Sequence, residues 1–345
     1  MRGGTSKGPF FDLRDLPSDE QELAEVLLRI MGSPDSKQID GLGGAKTVTS
    51  KVVMVQPSDR PDVDVDYLFA QVFIAEGIVD FKPTCGNMMS GVGPFAIEKG
   101  WVKPSNKSTA VQVYNINTKS HAEMIVQTPG GDLAYNGDFR IDGVPGSGSP
   151  IVMRMRGIEG GATGRLFPTG NVIDDVRGMQ LTMFDAGNLM IHLRASDFGL
   201  TGNEVGNYFE SQREIMEEIE NIRLEIARRA GMGDVSNSVL PKVGLLSAPK
   251  NDGHLRSLYF TPKTFHPTHA ISGAVCVMAS SRCQGTIAAQ LIPEQFIKEE
   301  KAILEHQSGI IPVDLKTSGQ GKDFKIHFAG TYRTARKIME GKVFY

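Results

Sequence analysis

Thr84-Cys85-Gly86-Asn87-Met88-Met89-Ser90-Gly91-Val92-Gly93-Pro94 is the stretch that decides how the rest of the chain is read. Tyr67 to Ile74, rich in β-branched and aromatic residues, precedes it and reads as a strand. Phe95 to Lys99 follows it and reads as helical. Cys85, Gly86, Asn87 and Met88 therefore stand where a loop enters a helix. Unpaired backbone N–H groups and the positive end of the helix dipole collect at such a point. They favour bound carboxylates, and they favour a thiolate over a thiol. A small buried thiol beside a glycine turn is the plainer reading of the same residues.

Working outward, Thr47 to Val55 reads as a strand entered from the glycine-rich turn Gly41 to Ala45. Lys51 follows the hydroxyl residues Thr49 and Ser50. It is either an edge lysine that blunts aggregation or a partly desolvated amine able to act as a base. The chain opens on Arg2-Gly3-Gly4-Thr5-Ser6-Lys7-Gly8, whose glycines, hydroxyls and cations suit an anion pocket. The spacing of a Walker A loop is absent. Residues 18–31 place Leu23, Val26, Leu27 and Ile30 on one helical face, with Ser18 and Gln21 as a capping pair. The acids from Asp59 to Asp66 lack EF-hand spacing and read as a solvated turn.

Strands are expected at 110–118, 121–127, 132–140 and 151–155, giving the first half a curved antiparallel sheet with helices on it. In the second half a strand over 179–184 enters the turn Asp185-Ala186-Gly187-Asn188. Residues 208–230 read as one long solvated helix, and 241–246 as a strand. His266-Pro267-Thr268-His269-Ala270-Ile271-Ser272-Gly273 then opens an apolar helix, as a counterpart of the Cys85 turn. A last short strand is expected at 341–345.

Composition sets the class. The 345 residues suggest two domains, and 40% hydrophobic with 22% charged residues can fill two cores. A net charge of −3 with no basic block points away from nucleic acid and from anionic membranes. No apolar run approaches the roughly 20 residues that span a bilayer. Three cysteines, Cys85, Cys276 and Cys283, make neither a disulfide framework nor a zinc motif, and a reducing cytoplasm is the expected compartment. His266 and His269 lack further metal ligands nearby, so no metal is expected.

The two halves thus share a plan of strands followed by a small-residue turn that opens a helix. Arg2 to Gly8, Gly32-Ser33-Pro34-Asp35, Gln38 to Gly41, Thr49-Ser50-Lys51, Asp64 to Tyr67, Cys85-Gly86-Asn87, Gly91 to Ile97, Pro168 to Asn171 and Arg333 to Arg336 together resemble the PrpF-type isomerase family. That family includes isomerases of 2-methylaconitate, methylitaconate, aconitate and 4-oxalomesaconate. The resemblance runs in order from residue 2 to the end. It implies an α+β, diaminopimelate-epimerase-like fold with two pseudo-symmetric domains, each a curved sheet wrapped on a central helix, and an active site between them. The domains are expected at 1–160 and 161–329, with 330–345 returning to the first.

By the same resemblance Lys51 matches the family's base and Cys85 its pocket cysteine, at the family's interval. The substrate contacts it implies are Thr5, Ser6, Lys7, Ser50, Gly86, Asn87 and Met88, then Asn188, His266, Ser272 and Gly273. No cofactor is implied, and the expected partner is a small polycarboxylate, with neither nucleic acid nor membrane; a homodimer is one arrangement left open. The implied reaction is a 1,3-allylic proton shift in an unsaturated di- or tricarboxylic acid. Partial burial and neighbouring cations are expected to keep Lys51 partly neutral. The family carries a short strand before the Arg-Gly-Gly-Thr-Ser-Lys motif, whereas this sequence opens on the motif, which leaves an upstream start open.

Three other functions stay open. A two-base racemase of the same fold needs a thiol at each helix start, and the second start offers Ser272. A non-catalytic polycarboxylate-binding protein would not require Lys51 and Cys85. A cysteine hydrolase would want a His–Cys pair with an orienting acid, which no spacing here supplies. The wording around Gln38-Ile39-Asp40 and Tyr67 to Gln71 leans toward the oxalomesaconate and methylitaconate branches.

Overall fold

The computed structural model describes residues 1–236, 238–261, 264–266 and 269–345. Its contacts divide into two compact units, Met1–Met155 with Tyr332–Tyr345, and Arg156–Thr331.

In the first unit the sheet runs in the order Ile151–Met155, Ser120–Gln127, Ser108–Asn115, Val65–Val72, Lys51–Pro57, Phe10–Asp12. Strand Lys51–Pro57 shows why these residues form a central strand. Val53 and Val55 project into a core shared with helix α3 (Val92–Glu98), while Val52 and Met54 project to the other face under helix α1 (Glu20–Met31). Side chains that alternate between two covered faces make an unbroken apolar run. Helix α2 (Gly86–Met89) is a single turn placed just before α3. Every residue of α3 from Val92 to Ile97 is buried, so it is the central helix of this unit.

The second unit repeats the same sequence of pairings. A strand (Phe10–Asp12 or Leu189–Arg194) crosses through helices to a parallel neighbour (Lys51–Pro57 or Lys242–Ser247). An antiparallel strand follows (Val65–Val72 or Leu255–Thr261) and pairs with a short one (Val79–Asp80 or Thr264–His266). A second helical crossover leads to a parallel strand (Ser108–Asn115 or Lys301–His306). Here the crossovers are α4 (Gly206–Glu210) with α5 (Arg213–Arg229), and α6 (Ile271–Ser280) with α7 (Ile287–Leu291). The α+β plan of a sheet on a central helix is thus built twice, α6 playing the part of α3.

Several local expectations are corrected. The cap of α1 is Asp19, whose carboxylate accepts from the N–H groups of Gln21 and Glu22; Ser18 lies one residue too early. Thr47–Thr49 is a turn of 3₁₀ helix and the strand starts at Lys51. Residues 132–140 form no strand, only a bridge from Phe139 to Gly148, and 341–345 is irregular. The first sheet is mixed, because both helical crossovers return the chain parallel.

The helix expected over 208–230 breaks at Ser211 and Gln212. It is also less solvated than its charge suggests, since Ile219, Ile222 and Ile226 enter the second core. Arg223 is fully buried there. Its guanidinium donates to both carboxylate oxygens of Glu220, and to the carbonyls of Val235 and Leu240.

Candidate active site

The Arg2-to-Gly8 segment folds into a hairpin, Arg2–Gly3 pairing with Ser6–Lys7 and, on its other edge, with Ala335–Arg336. This hairpin is pressed onto both candidate catalytic segments. A methyl at Gly8 would fall 1.9 Å from the Lys51 carbonyl oxygen and 3.2 Å from the Met88 methyl carbon. Gly4, at φ +51°, leaves the space that the Asn87 side-chain oxygen occupies, 2.2 Å from where its Cβ would stand. The glycines of the opening motif are therefore required by close approach. They bring the hairpin, Lys51 and α2 into one place.

Lys51 is half-buried at the first position of its strand. Its Nζ donates to Gln71 Oε1 at 2.8 Å and lies 5.1 Å from the centre of the Phe69 ring. Gln71 sits opposite Lys51 in the antiparallel register, and its amide nitrogen donates to the carbonyls of Ser50 and Thr47. The amide is thus fixed at both ends. Sequence reading passed over Gln71, because the signal is a cross-strand pairing and not a motif. An amide and a ring face hold an amine in place far less strongly than a carboxylate would.

Ser50 is fully buried; its hydroxyl donates to the Val72 carbonyl and accepts from Gln38, holding the strand entry. Met88 and Ser6 are buried, while Thr5 and Lys7 are exposed.

Cys85 is the N-cap residue of α2, half-buried, and it makes no side-chain cap. Its carbonyl accepts from the Tyr67 hydroxyl at 3.3 Å, and Tyr67 itself is pushed well above the usual phenol range, chiefly by burial. The amides of Gly86, Asn87 and Met88 have no acceptor among the described residues. The Asn87 Oδ1 accepts from Arg333 Nε at 3.1 Å, which leaves the Asn87 Nδ2 to donate elsewhere. Arg333 belongs to a motif that the sequence displays, but its role there was not legible.

Charge adds to this arrangement in the first unit. Arg2, Lys7, Lys51 and Arg333 have no carboxylate within 4.0 Å among the described residues. Desolvation holds Arg333 down at about 10, and it lowers Arg2 as well, with Arg336 adding to the effect. A group of cations without counter-charges marks an anion site.

In the second unit the start of α6 is built the same way. Ala270 is the N-cap residue and offers no side-chain oxygen, and the amides of Ile271, Ser272 and Gly273 have no acceptor among the described residues. The Asn188 amide nitrogen donates to Ser272 Oγ at 3.2 Å and reaches the Tyr259 hydroxyl at 3.5 Å. The Tyr259 ring packs on His266 and on His269. A methyl at Gly273 would stand 2.8 Å from His269 Cε1 and 3.1 Å from Tyr259 Cε2. Asn188, His266, Ser272 and Gly273 are therefore brought together, with Tyr259, which the sequence did not single out, and His269, weighed there only as a metal ligand, as partners. Pro267 and Thr268 of the same stretch lie outside the described residues.

His269 is held neutral by burial, its pKa down at about 3, and bonds Ala270 O and Ser257 Oγ. Cys276 and Cys283 are buried, and burial pushes both thiols up. In the Pro168-to-Asn171 motif, Thr169 and Asn171 both donate to Asp174, which makes the motif a turn lock.

Comparison with known proteins shows the family. The PrpF protein family matches residues 1–345. A (4E)-oxalomesaconate Delta-isomerase from Novosphingobium sp. (strain KA1) is 41% identical over 346 residues, covering 100% of this chain and 96% of the relative. A 3-methylitaconate isomerase from Eubacterium barkeri is 35% identical, covering 100% and 95%. The crystal structure of a methylitaconate-delta-isomerase superposes with a TM-score of 0.94 at 36% identity, covering 99% of this chain and 93% of that one. No helix of the described residues is long and apolar enough to cross a membrane.

Proposed function

The chain belongs to the PrpF family, whose relatives compared above are isomerases, and on that premise we propose that it moves a C=C bond in an unsaturated di- or tricarboxylic acid by a 1,3-allylic proton shift. Lys51 is the base. It takes a proton from an allylic carbon made acidic by a conjugated carboxylate or keto group, and the C–H electron pair passes into a dienolate. The negative charge on the dienolate oxygens is met by the amides of Gly86 and Asn87 and by Thr5 and Lys7. The proton then returns at the other allylic carbon, either from Lys51 or by way of Cys85. Atoms and electrons balance within the substrate, so the reaction calls for no redox cofactor. Asn188, His266, Ser272 and Gly273 are the substrate contacts of the second unit.

The observation that carries this reading is the setting of Lys51. Its amine is held by a neutral amide, and no carboxylate lies within 4.0 Å of it among the described residues. A base must shed its proton near neutral pH, and a neighbouring carboxylate would oppose that. The racemase alternative is disfavoured, because Ser272 stands at the start of α6 and Cys276 is buried further along the helix. 4-Oxalomesaconate and methylitaconate lead the substrate series, followed by 2-methylaconitate and aconitate. Ultraviolet assays across that panel test the proposal: turnover of at least one member is expected, and no turnover of any would overturn it.

A further inference from the structure

The guanidinium of Arg333 is half-buried and answers to no carboxylate among the described residues. Its Nε donates to Asn87 Oδ1 at 3.1 Å and its Nη1 to the Tyr332 carbonyl at 2.8 Å. Nη2, with both its protons, has no acceptor among the described residues. Arg2, in the opening hairpin, spends its Nη1 on the carbonyls of Gly4 and Thr334. An arginine taken out of water normally brings an anion with it, as Arg223 does with Glu220 in the second unit. Arg333 lacks that anion, and it orients the Asn87 amide so that Nδ2 faces away from it as a donor.

From this arrangement we propose that Arg333 binds a substrate carboxylate, its free Nη2 and Nη1 protons forming the fork and Asn87 Nδ2 adding a third donor. The assignment rests on the polycarboxylate reading given above and names a contact which that reading left out. A guanidinium is suited to it because its planar donors match a carboxylate and it stays charged throughout the working pH range. Arg333 is half-buried with Nη2 unbonded among the described residues, so an incoming carboxylate supplies a missing partner.

Calorimetric titration with tricarballylate, a saturated tricarboxylate that cannot be isomerised, tests this directly. The wild-type chain is expected to bind it. Arg333→Met is expected to weaken binding roughly 10- to 100-fold, the range of one charge-assisted contact, and Arg333→Lys to recover part of the loss. Glutarate, which lacks one carboxylate, shows whether the loss follows a ligand group. If Arg333 reads a carboxylate, some pairing of ligand and variant shows losses that are not additive.

Should Arg333→Met fail to fold, Asn87→Asp keeps the test open. It gives Arg333 an internal counter-ion and is expected to fold while losing binding at least as far. Unchanged tricarballylate binding in folded Arg333→Met or Asn87→Asp overturns this inference and leaves the isomerase reading standing. A wild-type chain that binds neither tricarballylate nor glutarate, yet isomerises a member of the panel, overturns it as well. Failure of binding and of turnover together would overturn both.

Discussion

At the residue scale the argument depends on what touches Lys51. Its amine is positioned by Gln71 and Phe69, and no full opposing charge lies within 4.0 Å among the described residues. Replacing the amide by a carboxylate should therefore change the chemistry with little change of shape. Gln71→Glu places a negative charge against the ammonium and favours the protonated form. The acid limb of the pH profile of kcat/KM should move to higher pH, and activity at neutral pH should fall. A profile that keeps its midpoint in a folded Gln71→Glu protein would remove Gln71 from the positioning of the base.

The cysteines give a second test at this scale. Burial pushes Cys276 and Cys283 up, whereas Cys85 is half-buried at the mouth of α2. Iodoacetamide at mildly alkaline pH should label Cys85 alone in the native chain, as read by peptide mass spectrometry, and a bound polycarboxylate should slow it. Labelling of Cys276 at a similar rate would contradict the packing described here.

At the scale of elements, what was legible follows from periodicity. The strand Lys51–Pro57 and the small-residue entry to α3 announce themselves by β-branched runs and glycines. Asp19 as a cap, and the break at Ser211 and Gln212, depend on one-residue choices that competing polar residues hide. Gln71 and Arg333 escaped for a different reason: their partners are distant in sequence, Gln71 meeting Lys51 through strand register and Arg333 meeting Asn87 of α2 only in the folded chain. The opening hairpin gives the element-scale prediction. Gly8→Ala would set a methyl against the Lys51 carbonyl, where no flexible group can yield. It should lower kcat by an order of magnitude or more, roughly what about 1.4 kcal/mol of misplacement costs, and lower thermal stability as well. Wild-type kcat in Gly8→Ala would show that the hairpin does not set the position of Lys51.

At the scale of the whole molecule the chain carries one plan twice and uses it asymmetrically. The order of parallel and antiparallel pairings repeats, but the helix entry bears Cys85 in the first unit and Ala270 and Ser272 in the second. The general plan was legible because both turns share small residues before an apolar helix. The second unit's buried polar groups were not, since a histidine in a sequence does not say whether it is solvated. His192 and His269 are both buried and neutral, their pKa values lowered to about 3 from 6.5. The unfolded chain binds protons at these groups near pH 6.5 and the folded chain does not, so their contribution to stability is complete above that pH and is lost as pH falls toward 3. Urea unfolding should show lower stability at pH 5.5 than at pH 7.5, with net proton uptake on unfolding. Stability at pH 5.5 equal to or greater than that at pH 7.5 would contradict the burial of these two rings.

The central claim, that Lys51 moves the allylic proton, is tested most directly by proton exchange rather than by turnover. An unsaturated polycarboxylate from the panel is incubated in deuterium oxide with the wild-type chain or with Lys51→Met, and deuterium at the allylic carbons is followed by NMR. The wild-type chain should wash deuterium into those carbons at least as fast as it isomerises. Lys51→Met, folded and still able to bind tricarballylate, should show neither exchange nor isomerisation. Deuterium entering at a near-normal rate in that variant would contradict the account.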